Sequence, residues 1–526
     1  MPEPGIKLVN IFSNAFDNFV ATARTCYSAR GIVEVGDVAA TGVANPAEAE
    51  KRRERKLALA GSLFKAGHHT TLQHAHVQFA LDGVSRHFVW SFLHSHPFYN
   101  SEQVSQRYVT VREENFYVPE SLGGASREAY IACVRNQMRA YNELCEMLRP
   151  LVADHYFMRF KGRFGSKRAQ NDIQKRAQEV ARYVLPVATF TYLYHTVSVL
   201  TLLRYHRVAQ EFDTSTEQRA VVASMVEALL HHEPEFANIL QQPMDLEDTP
   251  EYRFFAERQL CEVDMQNARR FVEEFDRELG GATSVLVDWG ARNQEVVASS
   301  VREVLGIPSA DMNDADAIAL VLDPAKNRLL GEQMNLTTLS KLSRALWHAR
   351  YTFRKKLSHA ADSQDQRHRL TPGSRPILMR HFTGDPDYIM PALVQLDDAV
   401  KAKYAATMDE TWDSILKLLA VGESPEDAAY LLPNAVSVRF TESSDLLNLH
   451  HKMAMRLCYN AQEEIWRASL DETRAVTGIN PEIGRWLLPP CSNRKFASQK
   501  PICPEGDHYC GIPVWRLSLD EYERVI

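Results

Sequence analysis

Apolar residues recur at helical spacing over much of the chain. In the segments from Ala125 to Leu151, Gln218 to Leu230 and Tyr252 to Leu279 they return every three or four positions, as on the buried face of a helix. Two shorter segments, 76–84 and 188–199, alternate instead and are rich in β-branched and aromatic residues, which predicts strands. The pattern therefore predicts an α+β protein, mainly helical, in which long helices flank small mixed or antiparallel sheets.

Short motifs occur twice along the chain in the same order. GVSRHFVW, SEQVSQRYV and ARYVLP in the first half are followed by LSRALW, DSQDQRHRL and AAYLLP in the second. This order pairs Arg86 with Arg344, Arg107 with Arg367, and Pro186 with Pro433, at offsets of roughly 250 to 260 residues. The repeated order predicts two modules that fold alike; the alternative is two unrelated helical domains.

The repeat suggests where the domains begin and end. The run from Glu233 to Pro250 is rich in acidic residues and also contains Pro234 and Pro243, which is typical of a segment at the end of a domain. We expect a first module over residues 1–245, a helical connector over 246–295, a second, diverged module over 296–490 and a cysteine-containing tail over 491–526.

Composition narrows the function classes. Of the 526 residues, 45% are hydrophobic and 24% are charged, as in ordinary globular proteins. The net charge of -7 argues against a general nucleic-acid coat, since binding to a polyanion needs clustered positive charge. No basic region precedes an apolar run at the N-terminus, and no stretch approaches the roughly 20 apolar residues of a membrane span. We therefore expect a cytoplasmic protein that binds neither nucleic acid nor membranes.

Polar residues that suit a phosphate monoester cluster around SEQVSQRYV. Gln103, Ser105 and Arg107 would offer an amide, a hydroxyl and a guanidinium on one local surface. The alternative is a solvated polar loop in which Arg107 forms a surface salt bridge. No glycine-rich loop of the dinucleotide-binding or phosphate-cradling type occurs, which argues against an ordinary Rossmann or P-loop enzyme.

Two other clusters could suggest a metal site. The histidines of HHTTLQHAH have no interleaved carboxylate or cysteine, which favours a histidine-lined polar cleft over metal binding. In the tail, Cys491, Cys503, His508 and Cys510 are chemically adequate for tetrahedral zinc, although their spacing follows no strong zinc signature. Free or redox-active thiols are the alternative, and we expect no metal.

The motifs together resemble one enzyme family. The string S-E-Q-V-S-Q-R-Y, preceded by G-V-S-R and by the H-x-T-x-x-x-H of His68, Thr70 and His74, is similar to the signature region of flavin-dependent thymidylate synthases. The similarity extends to residues 23–27 and 181–186. In the second module it includes 432–435, Arg456 and 460–465, so that it covers nearly the whole chain.

The resemblance implies a reductive methylation. In this family FAD takes hydride from NADPH, methylenetetrahydrofolate supplies a one-carbon unit, and C5 of the uracil of dUMP is methylated without a protein nucleophile. Ser105 and Arg107, with Gln103, would hold the nucleotide, Arg182 would meet its phosphate, and Arg456 would hydrogen-bond the pyrimidine. The residues that would face the flavin are His68, Thr70, His94, Ser95, His96 and Asn460.

Each module departs from the family pattern in a different way. His94-Ser95-His96 stands where the family has an Arg-His-Arg triplet upstream of a Ser-x-Arg pair. In the second module Ala429 stands at the position of Arg182 and Asp365 at that of Ser105, whereas in the first Arg204, His206 and Arg207 are out of register with Arg456. Either the chain keeps one composite site, or both halves have decayed to a non-catalytic binding or structural protein; a flavin oxidase or reductase is a third alternative.

The composite site gives the sharpest expectations. Gln103, Ser105 and Arg107 should face Arg456 across the interface between modules, and replacing Asp365 with Ala should have little effect on nucleotide binding. In this family the active sites lie between subunits, so we also expect two chains to associate as a homodimer that mimics a four-module assembly.

Overall fold

The computed structural model describes residues 4–260, 263–332 and 340–525. The strands are β1 (Gly5–Ile11), β2 (His76–Ser85), β3 (Asn100–Gln103), β4 (Phe190–Ser198), β5 (Ser284–Trp289), β6 (Arg350–Ser358), β7 (Gly373–Ser374) and β8 (Ser437–Asp445). The helices are α1 (Ala15–Thr25), α2 (Pro46–Lys65), α3 (Arg86–His94), α4 (Gly124–Arg159), α5 (Lys167–Ala181), α6 (Val199–Arg207), α7 (Thr216–His232), α8 (Pro250–Glu257), α9 (Met265–Leu279), α10 (Asn293–Leu305), α11 (Asp314–Leu322), α12 (His359–Asp365), α13 (Asp398–Ala420), α14 (Pro425–Ala429), α15 (Leu446–Arg456), α16 (Glu463–Ile479), α17 (Pro481–Gly484) and α18 (Pro490–Phe496).

The strands form two sheets with the same topology. The first has the order β1-β2-β4-β3 and the second β5-β6-β8-β7, and neighbouring strands are antiparallel in both. The predicted class, a mainly helical α+β protein with two small sheets, is confirmed. The shared strand order also confirms that both halves of the chain fold alike.

A serine marks the same junction in each repeat. Ser85 ends β2 and caps α3, accepting from Phe88 N, and Ser358 ends β6 and caps α12 in the same way. The hydroxyl and amide of each serine donate to one glutamate of a later helix, Glu217 for the first and Glu464 for the second. These matched contacts make Ser85 and Ser358 equivalent and fix the register between the repeats.

This register corrects two predicted pairings. Counting from the serines, Arg86 corresponds to His359 rather than to Arg344, and Arg367 corresponds to His94 rather than to Arg107. Both pairings were wrong because they matched single arginines instead of the turn that starts the helix.

The pairing of Pro186 with Pro433 is confirmed by a direct contact. The two prolines form an antiparallel bridge, in which Val187 N donates to Leu432 O at 2.8 Å and Asn434 N donates to Leu185 O at 2.8 Å. Corresponding segments of the two repeats therefore pair with each other about a local two-fold axis.

The chain divides into two compact units that do not follow the sequence halves. The first unit comprises Met1–Ser105, Asn115–Pro119 and Ala188–Cys261, and the second comprises Gln106–Glu114, Glu120–Val187 and Glu262–Ile526. The first has a core of apolar side chains from its sheet and from α1, α3, α6 and α7. In the second, α4 packs against α5 and α13. The predicted domain boundaries stay predictions; β5 lies within the range predicted as a connector.

One predicted helix is interrupted. The segment from Tyr252 to Leu279 forms α8 and α9 rather than one long helix. Gln259 has a φ of 50°, which ends the helical path after α8, and the Asp264 side chain accepts from Asn267 N and starts α9 anew. Within the described ranges, no helix is both long enough and apolar enough to cross a membrane.

Candidate functional site

A cleft of about 400 Å³ in the second unit collects several of the predicted site residues. Its walls come from the segment that begins at Gln106, from α15 and from the residues after α15. The charged or polar side chains that line it are Arg107, Tyr108, Glu332, His450, His451, Arg456, Asn460, Asn493, Arg494 and Glu505. The volume falls within the range of small-molecule sites, and the mixture of guanidinium and imidazole groups suits an anionic ligand.

Arg107 is held firmly at the wall of this cleft. Its Nε lies 2.9 Å from a carboxylate oxygen of Glu179, and its Nη2 donates to the backbone O of Asn460 at 2.7 Å. The preceding residue is anchored as well, because the buried Asn434 amide donates to Gln106 Oε1 at 3.2 Å. The position of Arg107 is thus set by Glu179 of α5, in the first repeat, and by Asn460 and Asn434 in the second.

Guanidinium groups surround Glu179. Arg107 and Arg176 form ion pairs with this carboxylate, and Arg182 donates from Nε to its backbone O at 3.3 Å. Burial acts to raise the pKa of Glu179, but Arg107, Arg176 and Arg182 outweigh it and hold the pKa below its usual value. Three cations around one anion leave an excess of positive charge.

Arg182 lies behind this wall. It is buried, it does not line the cleft, and its Nη2 has no hydrogen-bond partner in the described part of the chain. Burial lowers the pKa of Arg182. A buried donor of this kind favours an additional anion nearby.

Arg456 ends α15 and lies in the same cleft as Arg107. Its Nε donates to Nε2 of His368 at 2.8 Å and its Nη2 donates to the backbone O of Gln364 at 2.7 Å. Burial lowers its pKa to about 10, so the group is still charged at neutral pH. Burial, then Arg456 and Lys452, hold the pKa of His368 well below its ordinary value, so this histidine is a neutral acceptor. The charge of Arg456 is therefore left for a ligand.

The second module contains a feature that sequence reasoning missed. Arg367-His368-Arg369 is itself an Arg-His-Arg triplet, and the register set by Ser85 and Ser358 places it level with His94-Ser95-His96. Both arginines are exposed, whereas His368 contacts Arg456. The triplet is present in the segment DSQDQRHRL, but the predicted pairing of Arg367 with Arg107 assigned it to the wrong position of the repeat.

The two halves of the family signature are thus divided between the repeats. The first repeat retains the Ser-x-Arg pair of Ser105 and Arg107, and the second retains the triplet. Where a Ser-x-Arg pair would follow the triplet, the second repeat has Ser374 next to Arg375, and Arg375 is buried against Asp362.

The other predicted contacts of the nucleotide and flavin are in the first unit. Gln103 Oε1 accepts from Arg86 Nη1 at 3.0 Å at the end of β3, and Ser105 is the last residue of that part of the unit. His68 and Thr70 are exposed, and Ser95 donates to Phe92 O. His94 stacks edge-on against Trp90, and His96 lies 3.4 Å from Arg204. Burial and Arg204 lower the pKa of His96.

Asn460 connects the cleft to the C-terminal tail. Besides accepting from Arg107, it accepts from Arg176 through Oδ1 at 3.3 Å, and its amide donates to the backbone O of His508 at 2.6 Å. Among the residues that the structure describes, no group of three or more His, Cys, Asp or Glu side chains is placed to hold a metal ion.

Asp365 has a role different from the one predicted. It is seven residues after Ser358 and therefore corresponds to Phe92, not to Ser105. Its carboxylate is fully buried and pairs with Lys452 at 2.7 Å and Lys355 at 3.2 Å. Replacing it with Ala would leave these lysines short of a counter-charge, so we expect this variant to lose stability, whereas its effect on nucleotide binding stays a prediction.

Comparison with known proteins shows one family over both repeats. The model of the family described as thymidylate synthase complementing protein matches residues 7–235 and 289–482, one match for each repeat. The chain is 30% identical over 170 residues to the flavin-dependent thymidylate synthase of Geobacter sulfurreducens, covering 32% of this chain and 70% of the relative. It is 25% identical over 204 residues to the enzyme of that name from Clostridium tetani, covering 38% and 72%. For that from Nitratidesulfovibrio vulgaris the identity is 24% over 226 residues, covering 43% and 81%.

Proposed function

The chain belongs to the thymidylate synthase complementing protein family, and we propose that it methylates C5 of dUMP to give dTMP at one composite site per chain. The one-carbon unit comes from methylenetetrahydrofolate and the reducing equivalents from NADPH, with FAD as cofactor. The observation that carries the proposal is that Arg107 of the first repeat and Arg456 of the second line the same cleft. Neither repeat has both residues.

Arg107 and its neighbours would bind the phosphate. Arg107, Arg176 and Arg182 hold more positive charge than Glu179 neutralises, so a phosphate dianion gains charge-assisted hydrogen bonds there. Arg107 is the member of this group that reaches the cleft. Arg182 does not line the cleft, and its contact with the phosphate stays a prediction. Gln103 and Ser105 stay predicted nucleotide contacts.

Arg456 would orient the pyrimidine and stabilise charge on it. Its two hydrogen-bond partners are neutral, and its side chain is half-buried. A fixed guanidinium in such surroundings interacts strongly with negative charge that develops on a uracil carbonyl oxygen when C5 reacts. His368 positions Arg456 without neutralising it.

The donor set suits a flavin on the second repeat. Arg367 and Arg369 offer two exposed guanidinium groups beside the Arg456–His368 pair, and guanidinium groups bind diphosphates in bidentate fashion. When bound, the flavin supplies hydride-transfer chemistry that no side chain of the chain provides. His94, Ser95 and His96, predicted from the first repeat, remain further candidates for this contact.

The test is synthesis of dTMP by the purified full chain. With added FAD to saturate the protein, and with NADPH, methylenetetrahydrofolate and dUMP, we expect dTMP by liquid chromatography, and no product when NADPH, methylenetetrahydrofolate or dUMP is omitted. Arg456→Gln should lower kcat/KM about 10- to 150-fold, since a charge-assisted hydrogen bond of roughly 1.5 to 3 kcal/mol is lost. Arg292→Gln is the matched control, because Arg292 is exposed and pairs with Glu295, three residues along the chain.

The flavin is tested separately from turnover. The visible spectrum of the purified chain should show bound flavin, and Arg367→Gln should reduce the flavin retained while Arg292→Gln does not. A colourless protein that takes up no added FAD would contradict the proposal and favour a non-catalytic descendant. Flavin without dTMP formation would instead indicate an oxidase or reductase.

The proposal includes association of two chains. Two chains with two repeats each would reproduce the four-module assembly that the family resemblance implies. Sedimentation at micromolar concentration should give the mass of a dimer, and a strictly monomeric mass would contradict this part alone.

A further inference from the structure

Four thiols converge on one small space in the second unit. Cys458, Cys491, Cys503 and Cys510 all line a cavity of about 20 Å³, and none of them is in a disulfide. Cys458 follows α15, Cys491 lies in α18, and the other two belong to the segment after α18. The fold thus brings together cysteines separated by up to about 50 positions in the sequence.

The surroundings keep these thiols protonated. Pro489, Ile512, Val514 and Trp515 line the same space. Burial raises the pKa of Cys458 to about 11 and that of Cys491 to about 12, and the neighbouring thiols add to both shifts. In a low-dielectric space, thiolates that repel one another are unstable unless a cation binds them.

Other buried cysteines show that this arrangement is not simply a feature of thiols in a core. Cys133 and Cys145 lie in α4, and burial also raises their pKa. The groups that influence them are hydroxyls and glutamates, and no second cysteine contributes to either shift. Convergence is therefore specific to the four thiols around the cavity.

Positive charge lies beside this cluster. Arg159 and Arg524 both act to lower the pKa of Cys510. Arg524 is itself buried, and burial together with Arg176 lowers its own pKa to about 9. A centre with negative charge next to these arginines would relieve their mutual repulsion, and a divalent cation with four thiolates carries two negative charges.

We propose that Cys458, Cys491, Cys503 and Cys510 bind a single thiophilic divalent metal ion of the zinc class. Four soft ligands are the set that tetrahedral zinc prefers. Binding releases the four thiol protons and involves no oxidation. A cavity of about 20 Å³ accommodates one ion but not a four-iron cluster. As the side chains of the described residues stand, no group of three or more His, Cys, Asp or Glu is placed to hold a metal ion, so the proposal requires the four thiols to turn toward the shared space.

The set differs from the one that the tail sequence suggested. Cys458, from outside the tail, takes the place of His508, whose side chain does not line the cavity. The residues Cys458, Asn460, Pro490, Pro504 and Glu505 line both this cavity and the candidate cleft. A bound ion would therefore fix the tail as one wall of the cleft. The metal site itself does not depend on the proposed reaction.

The experiment is metal binding by the full chain under reducing conditions. Zinc content by mass spectrometry should approach one ion per chain, and the metal-free protein titrated with Co²⁺ should develop the visible bands of tetrahedral cobalt thiolate. Cys503→Ser should lose stoichiometric metal, with affinity at least 10-fold lower, whereas Cys26→Ser, at an exposed cysteine, should retain it. Cys510→His tests the case in which a serine variant fails to fold, because it keeps a ligand and should bind Co²⁺ with weaker thiolate bands.

Several results would overturn the proposal. These are zinc and cobalt below about a tenth of an ion per chain, equal metal in Cys503→Ser and Cys26→Ser, or iron and acid-labile sulfide in place of zinc. An intact mass lower than that of the fully reduced chain by two or four hydrogens would also overturn the proposal, because it would show that the thiols form disulfides. Loss of metal without loss of dTMP synthesis leaves the proposed function standing, and the reverse result leaves the metal site standing.

Discussion

The two sheets have the same topology but opposite interiors. In the first unit Phe92, His195 and Tyr205 form a buried ring cluster with centroid distances of 4.6 to 5.9 Å. The register set by the helix-capping residues places charged side chains at the same points of the second unit. The corresponding pairs, first unit first, are Leu81 and Lys355, Phe92 and Asp365, His195 and Glu442, and Tyr205 and Lys452.

The charged interior forms a connected ion network. Lys355 pairs with Asp365, Glu442 and Glu472 at 2.7 to 3.2 Å, and Lys452 pairs with Asp365 and Glu442. Arg375 and Asp362 extend the network. Three cations thus face four carboxyl groups, so that one retained proton would balance the charge. Burial, then Asp365, raises the pKa of Glu442 to about 7, and we therefore assign this proton to Glu442.

One topology thus tolerates either interior when the exchange of side chains is complete. An isolated lysine among Phe92, His195 and Tyr205 would be a buried unpaired charge, and an isolated leucine in the network would leave carboxylates unmatched. Because the first sheet packs apolar side chains, its stability depends on area and shape. The stability of the second depends on charge balance and therefore on pH.

The largest effect is expected where one charge is removed. Lys355→Met should destabilise the second unit by about 3 to 5 kcal/mol, because three carboxylates lose a shared buried partner. Leu81→Met, at the equivalent position of the first unit, should cost less than about 1.5 kcal/mol. Urea unfolding, with hydrogen exchange of β6 and β8 compared with β2 and β4, measures both. Equal losses would contradict the comparison.

The next effect is a pH dependence. The pKa of Glu442 is about 7 in the folded chain against an ordinary 4.5, so between these values the unfolded chain releases a proton that the folded chain retains. Stability from this group is complete below pH 4.5 and is lost as pH rises to about 7, by an amount of the order of 3 kcal/mol. Glu442→Gln should remove this fall. A variant with the wild-type pH profile would assign the dependence to another group.

The smallest effect belongs to the aromatic interior. Tyr205 Oη lies 3.4 Å from Nε2 of His195, a long hydrogen bond, so Tyr205→Phe should cost about 0.5 to 1 kcal/mol. Burial lowers the pKa of His195 to about 3, so the effect should be the same at pH 5 and pH 8. Denaturant unfolding at both values measures it, and a cost that grows toward pH 5 would show that His195 becomes charged.

The strands and the repeat could be predicted from the sequence, whereas the buried ion network could not. The strands β2 and β4 were predicted from the alternation of apolar and polar residues, and the repeat was predicted in part from the Leu-Pro pairs that end at Pro186 and Pro433. Both are local signals in the sequence. The network was not predictable, because Lys355 and Glu442 look like the solvated face of a strand when their partners are unknown. Lys355 and Glu442 form an ion network because they are buried, and their burial depends on the tertiary fold.

Residues of the candidate site could be predicted from the sequence, but the way the family motifs are divided between the two repeats could not. Arg107 and Arg456 were expected to act together. The triplet around His368 was overlooked because register was taken from arginines, whereas helix starts at Ser85 and Ser358 determine it.

The composite site is tested most directly by the number of dUMP molecules that the flavin-loaded chain binds. Calorimetric titration should give one nucleotide per chain, since each repeat supplies only part of a site, with binding weakened about 10- to 150-fold in Arg456→Gln and unchanged in Arg292→Gln. Two nucleotides per chain, or equal affinity for both variants, would contradict a composite site built from Arg107 and Arg456.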